Sequence, residues 1–364
     1  MKVGFACVTG YHIFISYLLA KSLYKKDEKV IFLSDLMKGS KEIYTRLNES
    51  KVFEEVYFIE EKDLGTRLKN AIYIRRVFKS INYKDIKILH VFSWGRIYSS
   101  FLANKINKTA KIILTEEGLA TCFLTDKFLS VKDKIRDILF KDNLDFRGIS
   151  GIYLFNKKLY SGSDLYRPLI TDIDIKPYFK DLNFLEQTKQ DLDLIFDYDN
   201  KLEIDNNIIF FDQNIDTFLN QEKFIKLFSK NIRTSNIQVK LHPLHSKDHY
   251  AKQNFQTLNT SIPWEVIYLN KNKRQFTYIT YYSSAVFNNK MIFGTNDKII
   301  LLYDILNNYK EVLELDIENF NKSVLLIRKY VSNFKQNYPE AEICVPKDFK
   351  ELKELLNRRG EIYV

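Results

Sequence analysis

The feature that most constrains this chain is an alternation of two periodicities: short continuous apolar runs separated by segments whose apolar residues recur at helical spacing. Residues 2–9 (KVGFACVT) predict a buried strand, 10–12 a tight turn and 13–24 a helix. Residues 30–34 and 56–59 predict further strands, and 66–81 an amphipathic helix with Arg67, Lys69, Arg75, Arg76 and Lys79 on its polar face. A strand over 86–92, a helix over 97–106 and a strand over 110–114 come next. Strands joined through helices must run parallel, so the expected fold class is α/β with doubly wound sheets. Between 120 and 180 the periodicity weakens, and this stretch is read as helices and loops covering one sheet edge. A helix over 183–196 leads to residues 197–207 (DYDNKLEIDNN), which are polar, acidic and free of apolar runs, the best candidate for an interdomain linker. The alternation then restarts, with strands expected over 208–211, 237–241, 264–269 and 276–281, a helix over 217–228, and a last helix over 348–356 that packs back on the first domain. At roughly 150 residues per domain the 364 residues divide into two, taken as 1–197 and 206–364.

Composition narrows the classes. With 45% apolar, 15% aromatic and 28% charged residues, and only 11 Gly and 6 Pro, disorder and fibrous repeats are excluded. Cys7, Cys122 and Cys344 are scattered and include no C-x-x-C pair, which supports neither a zinc knuckle nor a disulfide framework and makes a reducing compartment the simpler reading. The apolar run after Lys2 ends too soon for a signal peptide, and no window approaches the roughly 18 uncharged apolar residues of a spanning helix. The expected location is cytoplasmic, soluble or peripheral on the inner membrane face. Lys+Arg total 56 against 46 Asp+Glu, and the net charge of +10 calls for an anionic partner: nucleic acid, a membrane surface, or a phosphorylated or acidic small molecule.

In open parallel sheets ligands bind beyond the carboxyl ends of strands, and five such endings stand out. Thr115-Glu116-Glu117-Gly118 puts two adjacent carboxylates on a turn, where mutual repulsion can raise one pKa and make a general base; a solvated loop pair is the plainer alternative. Lys240-Leu241-His242-Pro243 ends a strand in a histidine held by a proline, suited to a phosphate leaving group or simply structural. His245 and His249 come after it at spacings that would suit a metal cluster on a helix, but Pro243 interrupts that spacing and no metal site is expected. Glu265, at the start of an apolar strand, suits the hydroxyls of a ribose or an ordinary strand edge. In Tyr281-Tyr282-Ser283-Ser284 a serine pair opens a helix, either as a cap alone or as a cap that also binds phosphate. Asp212-Gln213-Asn214-Ile215-Asp216 places Asp216 toward a cleft or at a helix cap.

The order of these signals resembles the bacterial GT-B sialyltransferases, whose shared short motifs are an acidic pair with Gly, a His-Pro and a Ser pair. It is similar above all to glycosyltransferase family 52, the lipooligosaccharide and capsular sialyltransferases, whose opening is also similar to Cys7, Thr9, Tyr11 and His12 here. The resemblance covers the motifs and layout of about residues 1–300, outside 120–200. It implies a GT-B-like fold, two Rossmann-type domains facing a central cleft, with 1–197 on the acceptor side and 206–364 binding CMP. It implies Lys240 and Pro243 near the cytosine, His242 at the phosphate of CMP, Glu265 on the ribose, and Ser283 and Ser284 on the phosphate oxygens, with Gln213 and Tyr282 also among the donor-binding residues. The base is Glu116 or Glu117 by one related family and Asp216 by family 52 itself, and the Glu-Glu pair departs from the commoner Asp-containing forms.

The activity implied by the resemblance is an inverting, metal-independent transfer of sialic acid from CMP-sialic acid to a galactoside-type acceptor of a surface glycan, with no cofactor. A carboxylate deprotonates the acceptor while His242 and the serines stabilise the departing phosphate. Peripheral membrane association and a homodimer are compatible with it. A GT-B transferase with another donor and a polysialyltransferase are the near alternatives. A nucleic-acid-binding module is the distant one; no RNP, KH or helix-turn-helix signature supports it, and no nucleic-acid partner is expected.

Overall fold

The computed structural model describes residues 1–61, 73, 76–79, 81–92, 97–106, 108–125, 148–198, 202, 204, 206–213, 218–242, 249–258, 261–271 and 275–357. It divides into two compact units: Met1–Asp199 with Ser261–Asn270, and Asn200–Thr260 with Lys271–Val364.

The first unit is built on β1 (Lys2–Cys7), whose six residues are all buried because neighbouring strands pair on both edges and helical segments cover it. Its sheet adds β2 (Glu28–Ser34), β3 (Glu55–Ile59), β4 (Ile86–Val91), β5 (Lys111–Thr115), β6 (Gly151–Leu154) and β7 (Ile170–Asp172), in the order β3-β2-β1-β4-β5-β6-β7. Every pairing is parallel. In the core, Phe5 stacks on His90 at 5.0 Å, and His90 is satisfied by Thr115 Oγ1 at 2.8 Å and Tyr24 Oη at 2.9 Å. Burial drives the His90 pKa down to about 3, so this imidazole is a neutral structural residue.

The second unit comprises β8 (Ile208–Phe211), β9 (Ile237–Lys240), β10 (Gln256–Leu258), β11 (Thr277–Thr280), β12 (Lys298–Leu301) and β13 (Ile343–Cys344), ordered β10-β9-β8-β11-β12-β13 and again all parallel. Counted within each unit, six strands share the same 3-2-1-4-5-6 order. That order reverses direction between the first and fourth strands, here β1 and β4, and β8 and β11.

Several expectations change. Residues 10–12 are no turn: the first helix, α1 (Gly10–Lys21), starts there because Thr9 is the N-cap and its Oγ1 accepts the His12 amide proton at 3.3 Å. The stretch read as edge-covering loops supplies β6 and β7, short strands whose Gly and polar residues hide the strand pattern. Trp264–Leu269 is a helix, not a strand. All six of its residues are buried, so no polar stripe betrays a 3.6 period, and Pro263 at the N-cap presets its first turn. The last helix, Phe349–Asn357, packs inside the second unit, where the Phe349 ring meets Phe228 and Tyr309. The periodicity of the sequence also fails to reveal β12, β13 and the long helix Ile317–Asn337. Most of the helix expected over 66–81 lies outside the described residues.

Candidate functional site

In the first unit the chemistry gathers beyond the carboxyl ends of β1 and β5. Glu116 prolongs β5, its amide donating to the Tyr153 carbonyl at 2.9 Å, and its side chain turns inward and is only 1% exposed. One carboxyl oxygen, Oε2, accepts from the Phe155 amide at 2.7 Å; the other, Oε1, has no partner among the described residues. Burial pushes the Glu116 pKa up to about 7, the Phe155 hydrogen bond pulls it partly back, and the charge of Asp172 raises it further. Near neutral pH this carboxyl is about half protonated.

Glu117 faces the other way and is 35% exposed. Its amide donates to Thr121 Oγ1 at 3.2 Å, and its Oε1 lies 2.9 Å from His12 Nε2. The turn needs Gly118, which stands at φ 123°, ψ −149°, a conformation that side chains make costly. His12 is fully buried near the start of α1, stacked on Phe92 with ring centroids 4.7 Å apart and planes 10° from parallel. Its Nδ1 accepts from the Val8 amide at 3.1 Å, so a neutral ring carries its proton on Nε2, where it donates to Glu117.

Tyr11, half-buried next to His12 in the chain, has its hydroxyl pKa pushed well above the ordinary value by loss of solvation, then by the charges of Glu116, Glu265 and Glu117. It is a phenol, not a phenolate. Glu265 belongs to this same unit, in the first turn of the buried helix Trp264–Leu269, and is itself 5% exposed. The helix reaches this place because residue 10 is a glycine: a Cβ there would stand 2.8 Å from Pro263 Cγ. The Cys122 thiol is pushed well above its usual range, first by burial and then by Glu116, which leaves it a thiol and a poor nucleophile.

In the second unit the polar groups satisfy one another. Asp212, just past β8, accepts from Gln221 Nε2 at 2.7 Å and Tyr250 Oη at 2.8 Å through Oδ1, and from the His242 amide at 3.1 Å through Oδ2. It thereby ties the loop after β9 to the loop after β8. Gln213 turns its Oε1 to the Tyr282 amide at 2.9 Å and Thr280 Oγ1 at 3.2 Å, fastening the end of β11. Tyr250 and Tyr281 hydroxyls meet at 3.0 Å. Burial, with the charges of Tyr281 and Asp212 next in weight, holds the Tyr250 pKa well above normal. Lys240 ends β9 at 7% exposure, and His242 is half-buried. The Tyr282 hydroxyl is buried with no partner among the described residues, and burial raises its pKa to about 12. Ser283 accepts from the Ala285 amide at 3.2 Å and caps not an α-helix but the 3-10 turn Ser284–Phe287, which leads into the helix Asn288–Phe293.

The structure thus brings together Glu116, Glu117 and Glu265 in the first unit, and Gln213, Lys240, His242, Tyr282, Ser283 and Ser284 at the carboxyl ends of β8, β9 and β11 in the second. Asp216, Pro243 and His245 lie outside the described residues, among which there is no cluster fit to hold a metal ion. The described residues likewise include no helix long and apolar enough to cross a membrane. Sequence reasoning passes over His12, Tyr11, Asp212 and Tyr250 as site residues. The signal for the first two is the same strand-ending rule: both stand directly after β1, a central strand whose carboxyl end is not among the five.

Among solved structures, the chain is similar to an alpha/beta-galactoside alpha-2,3-sialyltransferase from the luminous marine bacterium Photobacterium phosphoreum, with 13% identity and a TM-score of 0.51 over 94% of this chain and 98% of that one. It is also similar to a UDP-GlcNAc 2-epimerase from Methanocaldococcus jannaschii, with 12% identity and a TM-score of 0.54 over 98% of this chain and 92% of that one. At such identities the likeness shows the fold, two parallel-sheet α/β units of GT-B type. No curated protein matches the chain. A family model described as alpha-2,8-polysialyltransferase matches residues 5–303, from within β1 to past β12. The chain belongs to the alpha-2,8-polysialyltransferase family and is a glycosyltransferase of the sialyltransferase kind.

Proposed function

We propose that this chain transfers sialic acid from CMP-sialic acid to a hydroxyl of an acceptor glycan with inversion at the anomeric carbon, without a metal, and with Glu117 as the base. The observation that carries this reading is the His12–Glu117 hydrogen bond of 2.9 Å at the end of β5, in a chain matched by a sialyltransferase family model. Of the acid pair, Glu117 alone is open enough to meet a substrate. Glu116 is held inward by Phe155 and stays partly protonated, which makes it a poor base but a neighbour that adds little repulsion when Glu117 is charged.

The step balances simply. The acceptor O–H bond breaks and its proton passes to Glu117, the acceptor oxygen bonds to C2 of sialic acid, and the C2–O bond to phosphate breaks with its electron pair leaving on CMP. His242, Lys240 and the Ser283–Ser284 turn are the groups proposed to meet the phosphate. Glu265 sits beside Tyr11 and the acid pair in the first unit, so we assign it to the base's surroundings rather than to the donor ribose. The family match favours an acceptor ending in sialic acid, with extension into a polymer. A galactoside-type acceptor, expected from the motifs, is the second reading.

The test is CMP release from CMP-sialic acid with a sialic acid-terminated oligosaccharide and with a galactoside, each with and without a chelator. Transfer to the first acceptor, insensitive to chelator, supports the reading. No release with either acceptor, together with no thermal stabilisation by CMP, would sink it. Loss of activity in chelator that returns with added metal would overturn metal independence. Among the carboxylates, Asp216→Asn leaving turnover intact while Glu117→Gln abolishes it separates the two rival bases.

A further inference from the structure

We propose that His12 is a positioning residue for the acid pair: a neutral imidazole, protonated on Nε2, that aims the Glu117 carboxylate and does not carry the proton away. The inference rests on Glu117 being the base. Its observations are the two ring nitrogens and their partners. Nδ1 is occupied by the Val8 amide proton at 3.1 Å, and Nε2 lies 2.9 Å from Glu117 Oε1. The ring is fixed besides by full burial and by stacking on Phe92, and its own amide is held by Thr9 Oγ1 at 3.3 Å.

This arrangement differs from a relay in which a base hands its proton through an imidazole. A relay needs one ring nitrogen with a free lone pair and another free to release a proton. Here the Nδ1 lone pair is taken by a backbone N–H and Nε2 already holds the ring's proton, so no second proton can enter without breaking the Val8 contact. The proton that Glu117 takes from the acceptor therefore resides on its other oxygen, Oε2, and departs through the exposed third of the side chain. The hydrogen bond from His12 leaves that second oxygen as the one presented to substrate. Among the described residues, the ionisable groups coupled to Glu116 and Tyr11 are Glu117, Glu265, Cys122 and Asp172, and none of these brings Glu117 a positive charge. His12 is the donor that orients it.

The experiment compares His12→Phe, which keeps a ring against Phe92 but removes the donor, with His12→Gln, whose amide restores one. The Phe variant should lower kcat about 10- to 100-fold with CMP affinity within about twofold, and the Gln variant should return to within about fivefold of the wild type. In the Glu117→Gln background, His12→Phe should cost no more than about twofold further, because a residue acting only through Glu117 has nothing left to position. The inference is overturned if a folded Phe variant keeps wild-type kcat, if a folded Gln variant is no better than Phe, or if the losses multiply in the double variant. Should the Phe variant fail to fold, His12→Asn, too short to reach both Val8 and Glu117, takes its place with the same outcomes. Wild-type turnover in Glu117→Gln alone would instead refute the base assignment, which separates the two failures.

Discussion

The two sheets share one strand order, yet the loops at their carboxyl ends are made in opposite ways. In the second unit Asp212 is buried and fully engaged, with Gln221, Tyr250 and the His242 amide all donating to it. In the first, Glu116 is buried with one oxygen that has no partner among the described residues, and Tyr11 feels the charge of three carboxyl groups. A satisfied buried carboxylate is a strut, because its free energy depends on keeping every donor where it is. An unsatisfied one is held at a cost that the rest of the fold must meet, and such costs collect where chemistry is done. The first loop of the second unit thus holds shape, whereas the end of β5 keeps a buried carboxyl short of a partner among the described residues.

That contrast can be broken by experiment, beginning with the largest effect. Glu117→Gln should lower kcat by about 10²- to 10⁴-fold with CMP affinity unchanged in calorimetry; a change in affinity with kcat preserved would place Glu117 in donor binding instead. Asp212→Ala should do the reverse, destabilising the fold by about 2–4 kcal/mol in denaturant unfolding because three donors lose their acceptor at a buried site. If stability is untouched, Asp212 is no strut.

Glu116 gives a smaller effect with a defined pH window. Its pKa in the folded protein is raised from 4.5 to about 7, so between these values the native state binds more protons than the unfolded one, and stability falls as pH rises. Glu116→Gln removes that loss. The variant should match the wild type near pH 4 and exceed it at pH 8 by about 1–3 kcal/mol, read from denaturation midpoints at the two pH values. A variant equally or less stable at pH 8 would mean the buried carboxyl carries no penalty, and the contrast with Asp212 would vanish. The smallest effect is at Tyr282. Tyr282→Phe deletes a buried hydroxyl with no partner among the described residues, so unliganded stability should change by less than about 1 kcal/mol. A CMP affinity about tenfold weaker would identify that hydroxyl as a donor contact, and an unchanged affinity would remove Tyr282 from the site.

How much of this is legible in the residues depends on whether the pattern is periodic. Strands such as Lys2–Cys7 and Ile208–Phe211 announce themselves because a parallel strand buried on both faces is a continuous apolar run, and the acid pair is found because it stands at the end of such a run. Trp264–Leu269 is apolar on nearly every side, so a helix and a strand look alike there, and the element that carries Glu265 is read as a strand in consequence. Ile170–Asp172 carries only one apolar side chain and exists through pairing with Gly151–Leu154, a tertiary cause that no local window holds. The His12–Glu117 bond spans 105 residues and the Asp212–Tyr250 bond 38, and spacing alone says nothing about which side chains such distances bring together.

The contact between Gly10 and Pro263 also sets an order of events. The first unit takes in Ser261–Asn270, which the ribosome delivers only after the intervening residues from Asn200 to Thr260 have emerged. The helix Trp264–Leu269, all of it buried, packs on Gly10–Lys21 and Leu182–Phe196. At about 5–20 residues per second, the nascent unit waits several seconds with that surface bare while the start of the second sheet appears. A fragment ending at residue 199 would keep seven strands yet lack the piece that carries Glu265 to Tyr11. Glu265 is therefore the last member of the acid cluster to arrive, after Glu116, Glu117 and His12 have been made.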